Sequence, residues 1–206
     1  MLRIWGRNNS VNVQKALWCC EELELPYERV DAGGSFGVVN TQQYRNLNPN
    51  GLVPTIEDDG FVLYESNAIV RYLAARHSAG KLWPEDVKTR AEADKWMDWY
   101  ATMFWPTFRP LFWNLVRTPV DQRDADAMEE SRLKTAEILG YLDAQLKNRA
   151  YVVGDALTIG DIPMGCGIWR WFGLDIERPE LPNLKRWFDA LSLRPAYKKI
   201  VLLPLT

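Results

Sequence analysis

Residues 53–66 read VPTIEDDGFVLYES and combine a hairpin with the start of a helix. Two short apolar runs flank Asp58-Asp59-Gly60, and Asp followed by Gly favours a tight turn because both residues tolerate a positive φ. Glu65 and Ser66 then begin a predicted helix that ends near His77. The stretch therefore predicts two antiparallel strands followed directly by a helix.

The residues before this hairpin alternate between strand and helix patterns. Leu2 to Trp5 is a short apolar strand candidate, apolar residues recur at helical spacing from Val13 to Leu23, and Tyr27 to Val30 is a second extended segment. A strand, a helix and a strand in this order form a βαβ unit with a right-handed crossover. The predicted order for this half is therefore βαβ followed by ββα.

From residue 88 onward the periodicity is helical throughout. A long helix is predicted over Lys88 to Val116, bent where Pro106 and Pro110 each remove a backbone donor, and another is predicted to begin at Pro119. The fold class expected is α/β plus all-α. We expect an α/β domain at residues 1–77, a linker at 78–87 and an all-helical domain at 88–206.

The composition is that of a folded protein without a strong charge. Of the 206 residues, 47% are hydrophobic and 25% are charged, and the formal net charge is -2, which gives no electrostatic reason to bind nucleic acid or an anionic membrane. Cys19, Cys20 and Cys166 form no CxxC pair, so no disulfide framework or metal site is indicated. No apolar run is long enough for a signal peptide or a membrane span, and we expect a cytoplasmic protein.

Three separated motifs resemble those of cytosolic glutathione S-transferases. Asn48 to Pro54, followed by Glu65-Ser66, resembles the glutathione-binding signature of that family: a loop with a cis-proline, a hairpin, and an acid-serine pair that opens a helix. Thr158 to Asp161 resembles the capping box of the family's helical domain. Asn8 to Asn12 is most similar to bacterial theta-like members. The resemblance therefore spans nearly the whole chain.

This resemblance implies a thioredoxin-like N-terminal domain that binds glutathione and a helical C-terminal domain that shapes the pocket for a second substrate. The implied activity is that of a glutathione transferase, in which the glutathione thiol is activated as a thiolate for attack on a small electrophile, with glutathione as the cosubstrate. The open edge of a small sheet and an aromatic-rich helix would leave apolar surface on a monomer, so we also expect a two-fold homodimer.

The chemistry of glutathione indicates which residues would hold it. A cis peptide between Val53 and Pro54 would present the backbone N–H and C=O of Val53 to the cysteinyl part of the tripeptide, as a strand edge does. The carboxylate of Glu65 is suited to the γ-glutamyl ammonium. Ser66, with the backbone N–H groups of a helix start, is suited to the γ-glutamyl carboxylate.

Two residues compete for the role of thiol partner. A hydroxyl at Ser10 would hydrogen-bond the thiolate and lower the thiol pKa from roughly 8.5 to 9 toward neutrality. Serine at this position is also a common helix N-cap, and Asn12 is the main rival for the thiol. The sequence leaves the choice between Ser10, Asn12 and a backbone amide open.

The second-substrate pocket is predicted on the long helix. The resemblance implies that its beginning and middle cover the sheet domain, so Tyr100, Phe104 and Phe108 are expected to line the pocket. Arg109 among these aromatic residues is unusual because an always-charged side chain beside apolar surface generally has a partner or a ligand. We expect it to clamp an anion on the substrate.

Two other functions are consistent with the same fold. One is a non-catalytic binding or protein-interaction module, which the intact Val53-Pro54 and Glu65-Ser66 pairs disfavour. The other is a thiol-disulfide oxidoreductase, which lacks a thiol at the start of the first helix. The sequence does not identify the second substrate, because apolar pockets discriminate electrophiles weakly.

Overall fold

The predicted hairpin forms one side of a four-stranded sheet in the computed structural model, which describes residues 1–206. Asp59 and Gly60 make its two-residue turn, with φ of 49° and 90°. The strands are β1 (Leu2–Trp5), β2 (Tyr27–Val30), β3 (Thr55–Asp58) and β4 (Phe61–Tyr64), in the order β2-β1-β3-β4. β1 pairs with β2 in parallel, and the other two pairings are antiparallel, which confirms the βαβ-ββα prediction.

Nine α-helices accompany the sheet. Three belong to the first half: α1 (Val11–Glu22), α2 (Gln42–Leu47) and α3 (Ser66–His77). The rest follow from residue 87: α4 (Val87–Trp99), α5 (Trp105–Val116), α6 (Ala125–Gln145), α7 (Asp161–Gly173), α8 (Pro182–Leu193) and α9 (Pro195–Ile200). None of these helices is both long and apolar enough to cross a membrane.

The long helix predicted over 88–116 is interrupted by a π-helical turn at Tyr100–Phe104. The N–H of Trp105 donates to the carbonyl of Tyr100, five residues back, and α5 begins at once with Pro106 in its first turn. A π turn holds one residue more than an α turn and so rotates the residues that follow it about the axis. The proline positions alone did not predict this turn.

The helix predicted to begin at Pro119 begins later. Residues 120–122 form a short 3₁₀ turn, and α6 begins at Ala125 because the side chain of Asp124 accepts a hydrogen bond from the Ala127 N–H at 2.9 Å. Asp is among the strongest N-caps, and the prediction overlooked it.

The segment before α7 is fixed by one buried carboxylate. Asp161 accepts from the N–H of Thr158 at 2.9 Å and from its hydroxyl at 3.2 Å, and it also accepts from the Val152 N–H and the Trp187 indole, both at 3.0 Å. Burial raises its pKa to about 6 despite these donors. Asp161 reaches back to residue 158, as the acidic residue of a capping box does, but the Thr158 hydroxyl donates to this carboxylate and does not accept from the backbone.

One apolar core joins the sheet half to the helical half. α1 packs on α7 and α9, where the rings of Trp18 and Tyr197 meet edge to face with centroids 4.8 Å apart. Glycine is required in α7 because a Cβ at Gly165 would lie 2.7 Å from the Trp18 ring, and one at Gly167 would lie 2.6 Å from Tyr100. This close approach fixes α1, and the loop before it, against the helices.

Candidate functional site

A groove of about 370 Å³ lies between the two halves. The sheet half lines it with the loop before α1, the first turn of α1 and the loop before β3, and the helical half lines it with α5 and α7. Among the residues in its wall are Ser10, Asn12, Val53, Trp105, Arg109 and Trp113. A larger cavity, of about 570 Å³, lies at the opposite end of the strands near His77, and no predicted site residue lines it.

Ser10 occupies the N-cap position of α1, yet its hydroxyl does not cap the helix. The backbone is extended (φ -76°, ψ 125°), the residue is 8% exposed, and its side chain lines the groove. An N-cap serine ordinarily bonds an N–H of the first helical turn. The Ser10 hydroxyl is therefore uncommitted beside the groove, which agrees with the thiol-partner prediction better than with the capping alternative.

Asn12 links the groove to the start of α3. Its side-chain oxygen accepts from the Ser66 hydroxyl at 3.3 Å, which leaves the Asn12 amide N–H₂ as the donor at the groove wall. Ser66 in turn accepts from the ammonium of Lys15 at 3.4 Å. The two predicted positions, 12 and 66, are thus joined by a direct hydrogen bond.

The loop before β3 has the conformation that the signature predicts. The Val53–Pro54 peptide bond is cis. The carbonyl of Leu52 accepts from the Tyr44 hydroxyl at 2.6 Å and from the Asn48 amide at 3.0 Å, which holds the loop in place. The N–H and C=O of Val53 make no hydrogen bond within the chain, so both are available to an extended ligand.

Glu65 adopts a backbone conformation that is uncommon for a residue with a Cβ. Its φ is 72° and its ψ is 107°, directly before the first turn of α3. Such conformations cost of order 1–3 kcal/mol and are concentrated at functional sites. The side chain is exposed and forms no ion pair, whereas the neighbouring Ser66 is buried. The strained residue thus presents a free carboxylate beside the helix start.

The pocket positions predicted on the long helix need correction. Tyr100, Phe104 and Phe108 are 1%, 0% and 0% exposed and lie in the core, and none of them lines the groove. The groove is lined instead by Trp105, Arg109, Phe112 and Trp113. Tyr100, Phe104, Phe108 and Phe112 recur at four-residue spacing and form the buried row, of which only Phe112 also lines the groove. The adjacent row, offset by one residue, consists of Trp105, Arg109 and Trp113.

Arg109 lines the groove together with three further arginines, Arg7, Arg117 and Arg170. The guanidinium carbons of Arg109 and Arg117 lie 4.6 and 4.0 Å from the centroid of the Trp113 ring. Burial lowers the pKa of Arg117, and the positive charges of Arg7 and Arg109 lower it further. No Asp or Glu lies within ion-pair distance of Arg7, Arg109 or Arg117. The groove wall is therefore positively charged and lacks an acidic counterion.

Known proteins with this architecture include glutathione S-transferases from bacteria and plants. The family model for the glutathione S-transferase N-terminal domain matches residues 6–81, and that for the C-terminal domain matches residues 95–195. The chain is 42% identical over 208 residues to the glutathione S-transferase GstB of Escherichia coli K12, with all of both chains covered. The chain belongs to the glutathione S-transferase family.

Structures lead to the same family. The chain superimposes on the theta class glutathione S-transferase from the citrus canker pathogen Xanthomonas axonopodis pv. citri with glutathione bound, with a TM-score of 0.96, 48% identity and coverage of 100% and 99%. Glutathione S-transferase F14 of Arabidopsis thaliana is 30% identical over 97% of this chain and 80% of its own. The predicted fold and the predicted glutathione transferase are both confirmed, and the binding-module alternative is disfavoured.

None of the three cysteines of this glutathione S-transferase lines the groove. Cys19, Cys20 and Cys166 are all buried. Burial is the main cause that raises the pKa of Cys20 to about 12, and Glu21 and Asp58 raise it further. Such a thiol is not a nucleophile at neutral pH.

Two buried cations beside the site were missed by the sequence reasoning. Arg170 of α7 donates to the Gln14 side chain at 2.9 Å, to the Asn9 carbonyl at 3.1 Å and to the Cys166 carbonyl at 2.8 Å, which ties the loop before α1 to α7. Lys15 is 3% exposed and contacts Ser66. A cation within an apolar helical run such as Val13 to Cys20 was the available signal, because such residues are rarely buried without a partner.

Proposed function

We propose that this glutathione transferase activates the glutathione thiol with the hydroxyl of Ser10 and transfers it to a small electrophile that carries a negative charge. The observation that supports this assignment is the uncommitted Ser10 hydroxyl at the N-terminus of α1, beside a groove with no acidic side chain in its wall. A donor and the partial positive charge of a helix start both favour a thiolate over a thiol.

Glutathione is proposed to bind along the sheet edge. The free N–H and C=O of Val53, held in position by the loop before Pro54, pair with the backbone of the cysteinyl part as a strand edge does. Glu65 takes the γ-glutamyl ammonium, and Ser66 with the first N–H groups of α3 takes the γ-glutamyl carboxylate. This arrangement directs the thiol toward the first turn of α1.

Asn12 has a supporting role in this proposal. Because its side-chain oxygen is already bonded to Ser66, only its amide N–H₂ is left to donate toward the groove. It is therefore the second donor for the thiolate after Ser10. Its bond to Ser66 also makes the position of the donor sensitive to occupation of the γ-glutamyl site.

The groove favours an anionic electrophile. Arg109 and Arg117 share the Trp113 ring and pair with no Asp or Glu, and Arg117 donates only a long hydrogen bond, of 3.4 Å, to the Thr206 backbone oxygen. An anion on the substrate therefore gains charge-assisted hydrogen bonds without displacing an Asp or Glu. In the reaction, the sulfur forms a bond to the electrophilic carbon while a leaving group departs with its electron pair. Arg109 is positioned to hold either the substrate carboxylate or the negative charge on the leaving group.

We propose that the protein is a two-fold homodimer, because large apolar side chains are exposed on its surface. Leu52, Phe61 and Met103 are 65%, 47% and 48% exposed, and such side chains favour burial in a two-fold homodimer. We place residues 1–77 as the glutathione-binding domain, 78–87 as the linker and 88–206 as the helical domain of a cytoplasmic enzyme. Light scattering at micromolar concentration should give the dimer mass, and a stable monomer would remove the dimer from the proposal.

Calorimetry with glutathione and a chromogenic aryl-halide assay test the activity. We expect saturable binding below millimolar concentration and glutathione-dependent product formation. Ser10→Ala should leave the affinity for glutathione nearly unchanged and reduce turnover, while Arg109→Ala should also leave that affinity unchanged and should reduce turnover of a neutral acceptor less than turnover of an anionic one. Absence of glutathione binding by the unmodified protein at millimolar ligand would overturn the proposal.

A further inference from the structure

Lys15 is a charged side chain on α1 that points into the protein. It is 3% exposed, and no Asp or Glu lies within 4.0 Å of its ammonium. Removing an ammonium from water without a paired anion is costly, and most buried lysines therefore have a carboxylate partner. The charged form of Lys15 is therefore costly in the protein without ligand.

The contacts of Lys15 converge on the start of α3. Its Nζ donates to the Ser66 hydroxyl and to the Asn67 side-chain oxygen, both at 3.4 Å, and lies 4.2 Å from the centroid of the Tyr100 ring. Both hydrogen bonds are long, and their acceptors are neutral. Asn67 also donates to the Met97 carbonyl at 3.0 Å, which fixes its orientation. The ammonium is therefore directed at the helix start but only weakly satisfied there.

We propose that Lys15 is a positioning residue for glutathione, whose buried charge offsets the α-carboxylate of the γ-glutamyl group through Ser66 and Asn67. This inference rests on the proposed function, which brings that carboxylate to Ser66. The Lys15 ammonium donates to the Ser66 hydroxyl. An anion that binds the same hydroxyl is therefore separated from the ammonium only by the serine oxygen. In a buried environment, charges at that separation interact far more strongly than in water.

The same arrangement couples glutathione binding to a proton. Burial lowers the pKa of Lys15 to about 7; smaller effects come from Cys166 and Glu65, which raise it, and from Arg170, which lowers it. Together with Tyr100, these are the titratable and charged groups that face Lys15 from the elements packed against it. An anion at Ser66 raises the pKa of Lys15, so binding takes up a proton in the window above pH 7. Glutathione affinity contributed by Lys15 is thus present at low pH and lost as pH rises.

S-Methylglutathione is the probe that isolates this effect, because its blocked thiol cannot release a proton. Calorimetry in two buffers of different ionisation enthalpy gives the number of protons exchanged. From Lys15 we expect an uptake of about half a proton near pH 7.5, where the free lysine is largely neutral, and a smaller uptake at pH 8.5. Lys15→Met and Lys15→Arg, in which position 15 does not titrate, should take up only the protons bound by the ligand's own amine, and the difference from the unmodified protein is the uptake by Lys15.

The pH dependence of affinity gives the second readout. The dissociation constant of Lys15→Met should exceed that of the unmodified protein on the order of tenfold at pH 6.5, and the two should converge near pH 9.5. Titration of the ligand's own amine affects both proteins equally, so it does not change the ratio of the two dissociation constants. Lys134→Met, which removes a charge from the exposed face of α6, is the matched control and should not change the ratio.

The outcomes separate the two proposals. If the unmodified protein takes up no more protons on binding S-methylglutathione than Lys15→Met or Lys15→Arg, or if the Lys15→Met ratio does not depend on pH, the role of Lys15 alone is overturned. No binding by the unmodified protein would overturn the proposed function and this inference with it. If Lys15→Met does not fold, the proton count of the unmodified protein and the behaviour of Lys15→Arg decide the question.

Discussion

The proposed γ-glutamyl end of the site and the proposed second-substrate groove are built differently. At the γ-glutamyl end, Ser66 and Lys15 are buried and bonded to each other, and the backbone at Glu65 is held in a strained conformation. In the groove, Arg109 and Arg117 are exposed and share one tryptophan ring without an acidic partner. The first arrangement suits a ligand that never changes, whereas the second suits acceptors that share only a charge.

A second contrast lies along the helix that forms the groove wall. Tyr100, Phe104 and Phe108 make one aromatic stripe, which is in the core, and Trp105 and Trp113 belong to the adjacent stripe, which faces the groove. The core stripe is aromatic throughout, whereas Arg109 lies between the two tryptophans of the groove stripe. A difference of one residue in sequence thus separates the core stripe from the stripe that lines the groove.

Phe108→Ala tests the contrast between the stripes and has the largest expected effect. Phe108 is fully buried against Phe104, Phe112 and Trp171. Its truncation should lower the free energy of unfolding by about 3 to 5 kcal/mol, since it leaves a cavity. Denaturant titration measures this.

Trp113→Ala is the matched comparison from the groove stripe. It should cost clearly less stability, because the ring is only partly buried, and it should alter acceptor kinetics. Equal losses of stability for the two variants would mean that the stripes are not functionally distinct.

Glu65→Ala tests the γ-glutamyl end. Loss of the carboxylate should weaken glutathione binding by about 2 to 3 kcal/mol if it pairs with a desolvated ammonium. Calorimetry provides the measurement, and Glu180→Ala, which removes an exposed carboxylate far along the chain, is the control. A change within experimental error would remove Glu65 from the binding site.

Arg109→Ala and Arg109→Lys test the groove. With an anionic electrophile, kcat/KM should fall by an amount equivalent to a loss of on the order of 1 to 3 kcal/mol of transition-state stabilisation, because lysine reproduces bidentate contacts poorly. With a neutral aryl halide, the fall should be smaller. The KM for glutathione should stay constant in both cases. Equal losses on the two electrophiles would indicate that Arg109 only supports the Trp113 ring.

Much of the sheet half was predictable because its signals are local. The turn at Asp59-Gly60 and the Val53–Pro54 loop follow from residue types that few other conformations accept. The start of α3 at Ser66 is equally local. Sequence neighbours decide these features, and the structure has them where the pattern indicated.

The groove was less predictable because its geometry is set by distant contacts. Periodicity shows that a helix has an apolar stripe but not which of two adjacent stripes the core selects, and the π turn at Tyr100–Phe104 has no simple sequence signature. The start of α6 was misplaced because the prediction relied on Pro119 as a helix start, whereas the side chain of Asp124 caps the helix. Lys15 and Arg170 acquire their partners from other elements, over 51 and 156 residues of sequence in two of their bonds.

The ionisation of bound glutathione decides whether Ser10 activates the thiol. Ultraviolet absorbance of the thiolate, followed against pH in the unmodified protein, Ser10→Ala and Asn12→Ala, gives the thiol pKa in each. We predict that Ser10→Ala raises this pKa by one or more units, about 1.4 kcal/mol each, with glutathione affinity nearly intact, and that Asn12→Ala raises it less. A pKa that stays at its original value in Ser10→Ala but rises in Asn12→Ala would contradict the assignment and make Asn12 the donor.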